Sequence, residues 1–225
     1  GLGDVYKRQV LAHPLIVEEL EKRWNMKFFG PSFLPGYEFM GNKRIETIQD
    51  LKGVKIRISG LNAKALQLFG AVPTMVTAPE GYTALDRGTI DSFGFPYTYG
   101  FGSFKLYEVS KYVTEGFNMS GFMCFQGVNI NAWNAAPEPV RQALPRAQAK
   151  AVEAMIKAYR TADEHWIPIF REHLEIVKIA PAERAKLQEG SSKIWNEWAD
   201  QQTDKGRPGH EILEFVKATV AKHMN

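Results

Sequence analysis

The chain has 225 residues, 44% of them hydrophobic, and a formal net charge of +3. This length allows a sizeable core, either as one large domain or as two small lobes. The small net charge and the lack of a lysine and arginine stripe argue against nucleic-acid binding. The single Cys124 excludes an internal disulfide, and its neighbours Met123 and Phe125 predict a buried, inert thiol. No apolar run reaches the length that spans a bilayer.

The first part of the chain contains a leader and one helical segment. Residues 1–9 show no periodic pattern and are interpreted as a non-native leader, and the sequence does not begin with methionine. Residues 13–24 alternate apolar and charged positions at helical spacing, which predicts an amphipathic helix. A strand is predicted at 26–29. The segment 30–42, rich in Gly, Pro and aromatic residues, is predicted to be a connection between lobes.

The middle of the chain reads as a compact strand and helix repeat. The predicted elements are a strand at 54–58, a helix from Asn62 to Gly70, a strand at 72–76, a helix opening at Pro79 and Glu80 and closing at Gly88, and a strand from Ile90. Two strand–helix–strand steps of this length predict parallel strands with right-handed crossovers, and therefore an α/β lobe.

An aromatic segment, residues 92–102, follows this unit. Loops after the carboxyl ends of parallel strands often bind ligands, so Phe93, Phe95 and Tyr97 are candidates for the walls of a pocket. The alternative is that these rings fill the core of the lobe. Phe95 is the better candidate for a pocket wall.

The rest of the chain is predicted to be mostly helical. Strands are expected at 111–115 and 123–131, with Gly116 and Gly121 as flexible points between them. A long helix begins at Pro137, and Pro145 and Pro168 should bend or divide it. A strand at 174–179 precedes two helices, at 181–203 and 209–223. Asn118 is a candidate ligand donor, with a turn-forming role as the alternative.

Several motifs in this order resemble the solute-binding subunit of tripartite ATP-independent periplasmic (TRAP) transporters. They are Asp50-Leu51-Lys52-Gly53, Lys55-Ile56-Arg57, Phe69-Gly70-Ala71-Val72-Pro73, and Glu80-Gly81-Tyr82-Thr83-Ala84-Leu85 with Gly88 and Asp91. The resemblance implies a periplasmic-binding-protein-like fold with two α/β lobes, a hinge and a long connecting helix. Residues 10–34 and 118–150 would belong to an incomplete first lobe, 35–117 to the second lobe, and 151–225 to helices packed on both.

The resemblance also assigns a role to Arg57. A lone arginine at a strand end is usually a surface charge or an ion-pair partner. In the resembling family, the arginine of the Lys-Ile-Arg strand holds the carboxylate of the substrate, and Arg57 occupies that position. Its planar fork of donors can meet both carboxylate oxygens at once.

Three positions depart from the family pattern. Phe95 stands where the family often has asparagine or tryptophan facing the ligand, which predicts an apolar or aromatic wall. Gly94 stands where some members have a metal-binding glutamate, and Met119 stands where an acidic ligand would be expected, so no metal and no cofactor are expected.

No catalytic pattern competes with this interpretation. His165 and His173 lack zinc-binding spacing, Gly100-Phe101-Gly102 lacks the rest of a phosphate loop, and no serine lies in a nucleophile elbow. Asp91 and Glu80 are expected to form helix-end and loop hydrogen bonds. We therefore expect a monomeric periplasmic protein, its signal peptide absent from this sequence, that passes an organic acid to TRAP membrane subunits. A sensor receptor of the same fold is the alternative, and an enzyme acting on a carboxylate is a less favoured one.

Overall fold

The computed structural model describes residues 9–119 and 123–224 of the chain. Their contacts divide them into two compact units: unit 1 takes residues 9–34, 123–158 and 195–224, and unit 2 takes 35–119 and 159–194. The sequence placed residues 151–225 in a separate group and residues 118 and 119 in the first lobe. In the structure, the described part of 151–225 is distributed over both units, and residues 118 and 119 belong to unit 2.

The helices and strands are numbered here in chain order. They are α1 (Pro14–Glu18), β1 (Met26–Phe33), β2 (Tyr37–Gly41), β3 (Lys55–Arg57), α2 (Gly60–Gln67), β4 (Val72–Pro73), α3 (Gly81–Asp86), β5 (Ser92–Pro96), α4 (Tyr99–Ser103), β6 (Tyr112–Glu115), β7 (Met123–Asn129), α5 (Ile130–Ala135), α6 (Glu138–His173), β8 (Glu175–Lys178), α7 (Pro181–Thr203) and α8 (Gly209–Met224). A π-helical turn at Glu19–Arg23 continues α1, and short 3-10 helices lie at Ile48–Leu51 and Leu106–Val109.

Unit 1 contains a two-stranded sheet in which β1 and β7 pair antiparallel. The helix predicted at 13–24 is observed as α1 and its π-helical continuation, and β1 extends further than predicted, to residue 33. The prediction of a buried Cys124 is wrong, because the thiol lies on β7 and is exposed. Its neighbour Phe125 is also exposed.

Unit 2 is built on a six-stranded mixed sheet with the order β4-β3-β5-β2-β6-β8. Strand β3 pairs parallel with both β4 and β5, which confirms the predicted α/β arrangement of this stretch. The helices α2 and α3 end at Gln67 and Asp86, slightly before the predicted ends at Gly70 and Gly88. These glycines close the turns that follow, with φ angles of 82° and 67°, which glycine adopts readily.

The central strand β2 was not predicted from the sequence. It lies within the segment predicted as a connection, pairs antiparallel with β5 and β6, and all five of its residues are buried. Phe39 packs into one hydrophobic cluster of unit 2 and Met40 packs into the other. A strand covered on both faces shows no alternation of apolar and polar residues, so its period was not visible.

The predicted loop after the strand at Ile90 is also partly wrong, because the strand begins at Ser92 and contains the first aromatic residues of the segment. Ser92–Pro96 is not a loop but the strand β5, and Phe93 and Phe95 therefore project from the sheet itself. The turn that follows, at residues 97 and 98, includes Thr98, which is fully buried and whose φ of 63° is unusual for a β-branched residue.

The long helix α6 continues without interruption through Pro145 and Pro168, so the expected division of this helix does not occur. Trp166 and Phe170, on either side of Pro168 in sequence, pack together and against the hydrophobic core of unit 2. This packing compensates for the hydrogen bond that proline cannot donate. The two C-terminal helices follow the predicted bounds closely.

The hydrophobic core of unit 2 has two parts. The first is centred on Ile56, Leu66 and Phe117, and the second on Met40, Phe93 and Phe170. In the described part of the chain, no helix combines the length and the apolar character needed to cross a membrane.

Candidate functional site

Arg57 is the last residue of β3, and two backbone carbonyls fix its side chain. Its Nε donates a hydrogen bond to the carbonyl oxygen of Val76 at 3.0 Å. Its Nη1 makes a longer contact with the carbonyl oxygen of Gly94, at 3.5 Å. Since these carbonyls come from the loop after β4 and from β5, the sheet and the loop together orient the guanidinium.

Two phenylalanine rings of β5 lie against the guanidinium. Its carbon Cζ is 4.6 Å from the centre of the Phe93 ring and 5.2 Å from that of Phe95. The two rings meet edge to face, with 5.5 Å between their centres. Arg57 therefore sits in a corner between two aromatic faces, an arrangement in which the ring quadrupoles attract the cation.

The two rings differ in their access to solvent. Phe93 is fully buried, so its ring supports Arg57 from the core and is inaccessible to a ligand in this structure. Phe95 is only partly buried and also contacts the rings of Tyr37 and Phe104. Of the two phenylalanines that the sequence proposed for a pocket wall, Phe95 has the accessible surface.

Arg57 has no acidic partner among residues 9–119 and 123–224. The side chain is half-buried, and burial lowers the pKa of its guanidinium, with a small opposing effect of Tyr37. A guanidinium keeps its proton at any physiological pH, so the charge persists. A partly desolvated cation without a protein carboxylate is an arrangement that a bound anion would stabilise.

Tyr97 and Asn118 line a cavity of about 410 Å³ within unit 2, and Arg57 is not part of its lining. Tyr97 donates its hydroxyl hydrogen to Glu115 Oε1 at 2.6 Å, and burial, reinforced by this bond, raises its pKa. Asn118 is exposed and has a φ of 42°, which fits the turn-forming alternative. The structure thus brings Arg57, Phe93 and Phe95 together, whereas Tyr97 and Asn118 line a cavity to which these three residues do not contribute.

Glu38 is a buried acidic residue that the sequence analysis did not identify. Its carboxylate accepts hydrogen bonds from Thr114 Oγ1 at 2.7 Å and from the backbone N–H groups of Gly116, Phe117 and Asn118. Burial raises the pKa of Glu38, and these hydrogen bonds oppose the increase. The one available signal was an acidic residue inside the otherwise apolar run Tyr37–Gly41.

The two acidic residues of the central motif have the structural roles expected of them. Asp91 Oδ2 accepts the backbone N–H of Lys55 at 2.9 Å. Glu80 Oε2 accepts both the backbone N–H of Thr77, at 3.1 Å, and its hydroxyl hydrogen, at 2.6 Å. These bonds lower the pKa of Glu80.

Met119 and Gly94, two positions that depart from the family pattern in sequence, are both closely packed. Met119 is buried in the core, and a Cβ atom at Gly94 would lie 3.0 Å from Ile58 Cδ1. Within the described ranges, no group of three or more His, Cys, Asp or Glu side chains is arranged to hold a metal ion.

Comparison with known proteins assigns this chain to a protein family. Residues 17–202 match the model of the bacterial extracellular solute-binding protein family 7, DctP. The chain belongs to this family. Its members are solute-binding receptors, which agrees with the family that the motifs around Arg57 resembled.

Two curated relatives align with different lengths of this family 7 chain. The monocarboxylate 2-oxoacid-binding periplasmic protein of Nostoc sp. (strain PCC 7120) is 31% identical over 118 residues, which are 52% of this chain and 32% of that protein. The C4-dicarboxylate-binding periplasmic protein DctP of Rhodobacter capsulatus is 26% identical over 193 residues, 83% of this chain and 55% of that protein. The chain thus spans about half or less of the length of these relatives.

Solved structures confirm the predicted fold. The periplasmic ectoine-binding protein of the TeaABC TRAP transporter of Halomonas elongata has a TM-score of 0.83 at 18% identity, covering 98% of this chain and 72% of that one. A TRAP periplasmic solute-binding protein of Bordetella bronchiseptica with bound mandelate has a TM-score of 0.79 at 23% identity, covering 98% and 71%. The family 7 chain therefore has the α/β fold of TRAP periplasmic binding proteins.

Proposed function

We propose that this chain is part of an extracytoplasmic solute-binding protein that captures an organic acid and delivers it to the membrane subunits of a TRAP transporter. The observation that carries the proposal is Arg57, a half-buried guanidinium held by two carbonyls and two aromatic rings without a carboxylate partner among the described residues. The carboxylate of the acid would supply the missing negative charge.

The geometry of Arg57 also indicates how the acid would bind. Because Val76 occupies Nε, the edge of the guanidinium formed by Nε and Nη2 is not available for a two-point contact. A carboxylate would instead meet the end formed by Nη1 and Nη2, where the contact to Gly94 is long. This end-on pairing still provides two parallel charge-assisted hydrogen bonds.

The partly accessible ring of Phe95 supports an acid with an apolar or aromatic substituent. Phe93 would act only through its support of Arg57, and Tyr97 and Asn118 remain candidates for contacts with other parts of the ligand. The mandelate complex from Bordetella bronchiseptica, and a marine metagenome protein specific for aromatic acid ligands, show that proteins of this fold accept such acids.

The remaining parts of the proposal follow from family membership. Both curated relatives are periplasmic proteins, so the same location is proposed for this chain, with its export signal outside the given sequence. We propose that it acts as a monomer, without metal or cofactor, and that it binds its ligand without converting it.

A thermal-shift panel tests this proposal. The panel contains mandelate, pyruvate, succinate and malonate, each paired with its neutral amide as a control for charge. A ligand at a hundred times its dissociation constant stabilises the folded state by about 2.7 kcal/mol, so a true ligand raises the melting temperature clearly. We expect at least one carboxylate, and none of the amides, to stabilise the chain. No stabilisation by any carboxylate would contradict the proposal, and turnover of a stabilising compound would favour an enzyme.

A further inference from the structure

The peptide group between Val76 and Thr77 is held from both of its ends. On one side, the carbonyl oxygen of Val76 accepts the hydrogen bond from Arg57 Nε at 3.0 Å. On the other side, the N–H of Thr77 donates to Glu80 Oε2 at 3.1 Å, and the same oxygen accepts the Thr77 hydroxyl hydrogen at 2.6 Å. One rigid peptide plane therefore connects the carboxylate of Glu80 to the guanidinium of Arg57.

We infer that Glu80 is a positioning residue for Arg57 and sets the affinity of the carboxylate site without touching the ligand. The inference rests on the proposed function, because it assumes that Arg57 is the group that binds the acid. A carboxylate bonded to the N–H of a peptide polarises that peptide and makes its carbonyl oxygen a stronger acceptor. Glu80 thus both orients the Val76 carbonyl and strengthens its bond to Arg57.

The turn that contains Glu80 also supports the ring of Phe93, which lies against the Arg57 guanidinium. Glu80 is the residue before α3, and Gly81 is the first residue of that helix. A Cβ atom at Gly81 would lie 2.4 Å from Phe93 Cε2, so the start of α3 is packed directly on the Phe93 ring. Since Phe93 lies against the guanidinium at 4.6 Å, a shift of this turn would move two supports of Arg57 together.

A ligand-independent measurement tests this role. The Nε–H group of Arg57 gives a proton–nitrogen NMR signal, which the Arg57→Lys spectrum identifies by its disappearance. In the unsubstituted 225-residue chain we expect this proton to exchange slowly with solvent, because Val76 accepts it. Glu80→Ala should raise its exchange rate about tenfold or more, since loss of a local hydrogen bond lowers the free energy of local opening. Glu80→Gln keeps an acceptor oxygen and should restore slow exchange.

The matched control is Glu183→Ala. Glu183 lies in the first turn of α7 and accepts the backbone N–H of Ile48 at 2.9 Å, so its removal perturbs a comparable carboxylate contact of unit 2. It should leave the Arg57 signal unchanged. An unchanged signal in Glu80→Ala, or the same change in Glu183→Ala, would overturn the inference whatever ligand the protein binds.

Calorimetric titration with mandelate, pyruvate and succinate then separates the inference from the proposed function. For whichever acid binds, Glu80→Ala should weaken binding by on the order of tenfold, as is usual for residues that orient a ligand-binding group, and Glu80→Gln by less than about threefold. If none of the three acids binds the unsubstituted chain, the proposed function fails for them while the NMR result still decides the role of Glu80. Binding that is equally tight in Glu80→Ala contradicts the inference alone.

Discussion

Arg57 has contacts of only two kinds in the described part of the chain, backbone carbonyl oxygens and aromatic faces, apart from the nearby Tyr37. Neither kind neutralises a charge, although both hold the guanidinium plane in place. Burial already lowers its pKa, so part of the cost of desolvation has been met before a ligand arrives. A fixed, partly dehydrated cation binds an anion more tightly than a mobile, hydrated one.

Replacement of Arg57 should abolish measurable binding of the acid. Arg57→Ala leaves the ligand carboxylate buried without a partner, which costs roughly 2 to 5 kcal/mol, or about 30-fold to several-thousand-fold in affinity. Arg57→Lys should restore little, because an ammonium is a compact charge without the planar fork of donors that matches two carboxylate oxygens. Calorimetric titration with the best acid of the thermal-shift panel measures both effects.

The control for this pair is Arg87→Ala, which removes an exposed arginine of the same unit. It should bind the acid as the unsubstituted chain does. Binding by Arg57→Ala within a few-fold of the parent would show that the acid is held elsewhere.

Phe95 should determine the preference between acids. Its ring has an accessible face beside the guanidinium, so Phe95→Leu removes the aromatic contact while it keeps an apolar side chain of similar size. An aromatic pair adds about 0.5 to 1.5 kcal/mol beyond area burial, so the ratio of affinities for mandelate over an aliphatic hydroxy acid should fall about 2- to 12-fold. Tyr99→Leu, which removes a ring that packs on Tyr159, is the control and should keep the ratio. An unchanged ratio in Phe95→Leu would remove Phe95 from the site.

The elements around the site were predictable to different degrees. The stretch from β3 to α3 was recognisable because β3 is buried on one side, α2 is amphipathic, and glycines follow both helices. Strand β2 was missed because both of its faces are buried. Strand β5 was taken for a loop because a strand was predicted from Ile90 and the aromatic residues were assigned to the segment after it.

The proposed role of Arg57 came only from the family motif, since a single arginine in a strand carries no periodic signal. The support from Val76 and Glu80 depends on how the chain folds back after β4. No local pattern in the sequence reports such a contact. The same holds for Glu38, whose four hydrogen bonds come from residues on or directly after the distant strand β6.

The packing of α3 on β5 gives a prediction about stability. Gly81→Ala would place a methyl group 2.4 Å from the ring of Phe93, so the helix or the ring must move. Overpacking of this kind typically costs about 1 to 3 kcal/mol in the free energy of unfolding. Urea unfolding of Gly81→Ala measures this cost, with Thr83→Ala at an exposed position of the same helix as the control. A Gly81→Ala chain as stable as the parent would show that α3 is not tightly packed on Phe93.

At the scale of the whole molecule, the acidic groups make the free energy of unfolding depend on pH in opposite directions. Asp50, Glu80 and Glu183 have lowered pKa values in the folded state, so their stabilisation is present above their ordinary values and is lost as the pH falls through the folded ones. The pKa of Glu38 is raised by burial above its ordinary value of 4.5. The folded state therefore binds this proton more tightly than the unfolded state, and the stabilisation is lost as the pH rises through the folded pKa.

Comparison with Glu38→Gln isolates this effect. The free energy of unfolding of the parent, minus that of Glu38→Gln, should decrease as the pH rises from 4.5 through the raised pKa of Glu38, and should then level off. Urea unfolding of both proteins at a series of pH values gives this difference directly. A difference that is constant or increases with pH would show that the hydrogen bonds from Thr114 and the backbone outweigh the effect of burial.

The strands that surround Arg57 come from one uninterrupted length of chain, because β2, β3, β4 and β5 all lie between residues 37 and 96. The opposite edge of the sheet depends on β8, which begins at residue 175. During synthesis, the strands around Arg57 are therefore made well before β8. Recombination between relatives that exchanges residues 37–96 would transfer Arg57, Val76, Glu80 and Phe95 as one inherited piece, whereas a crossover inside this stretch would separate the arginine from its supports.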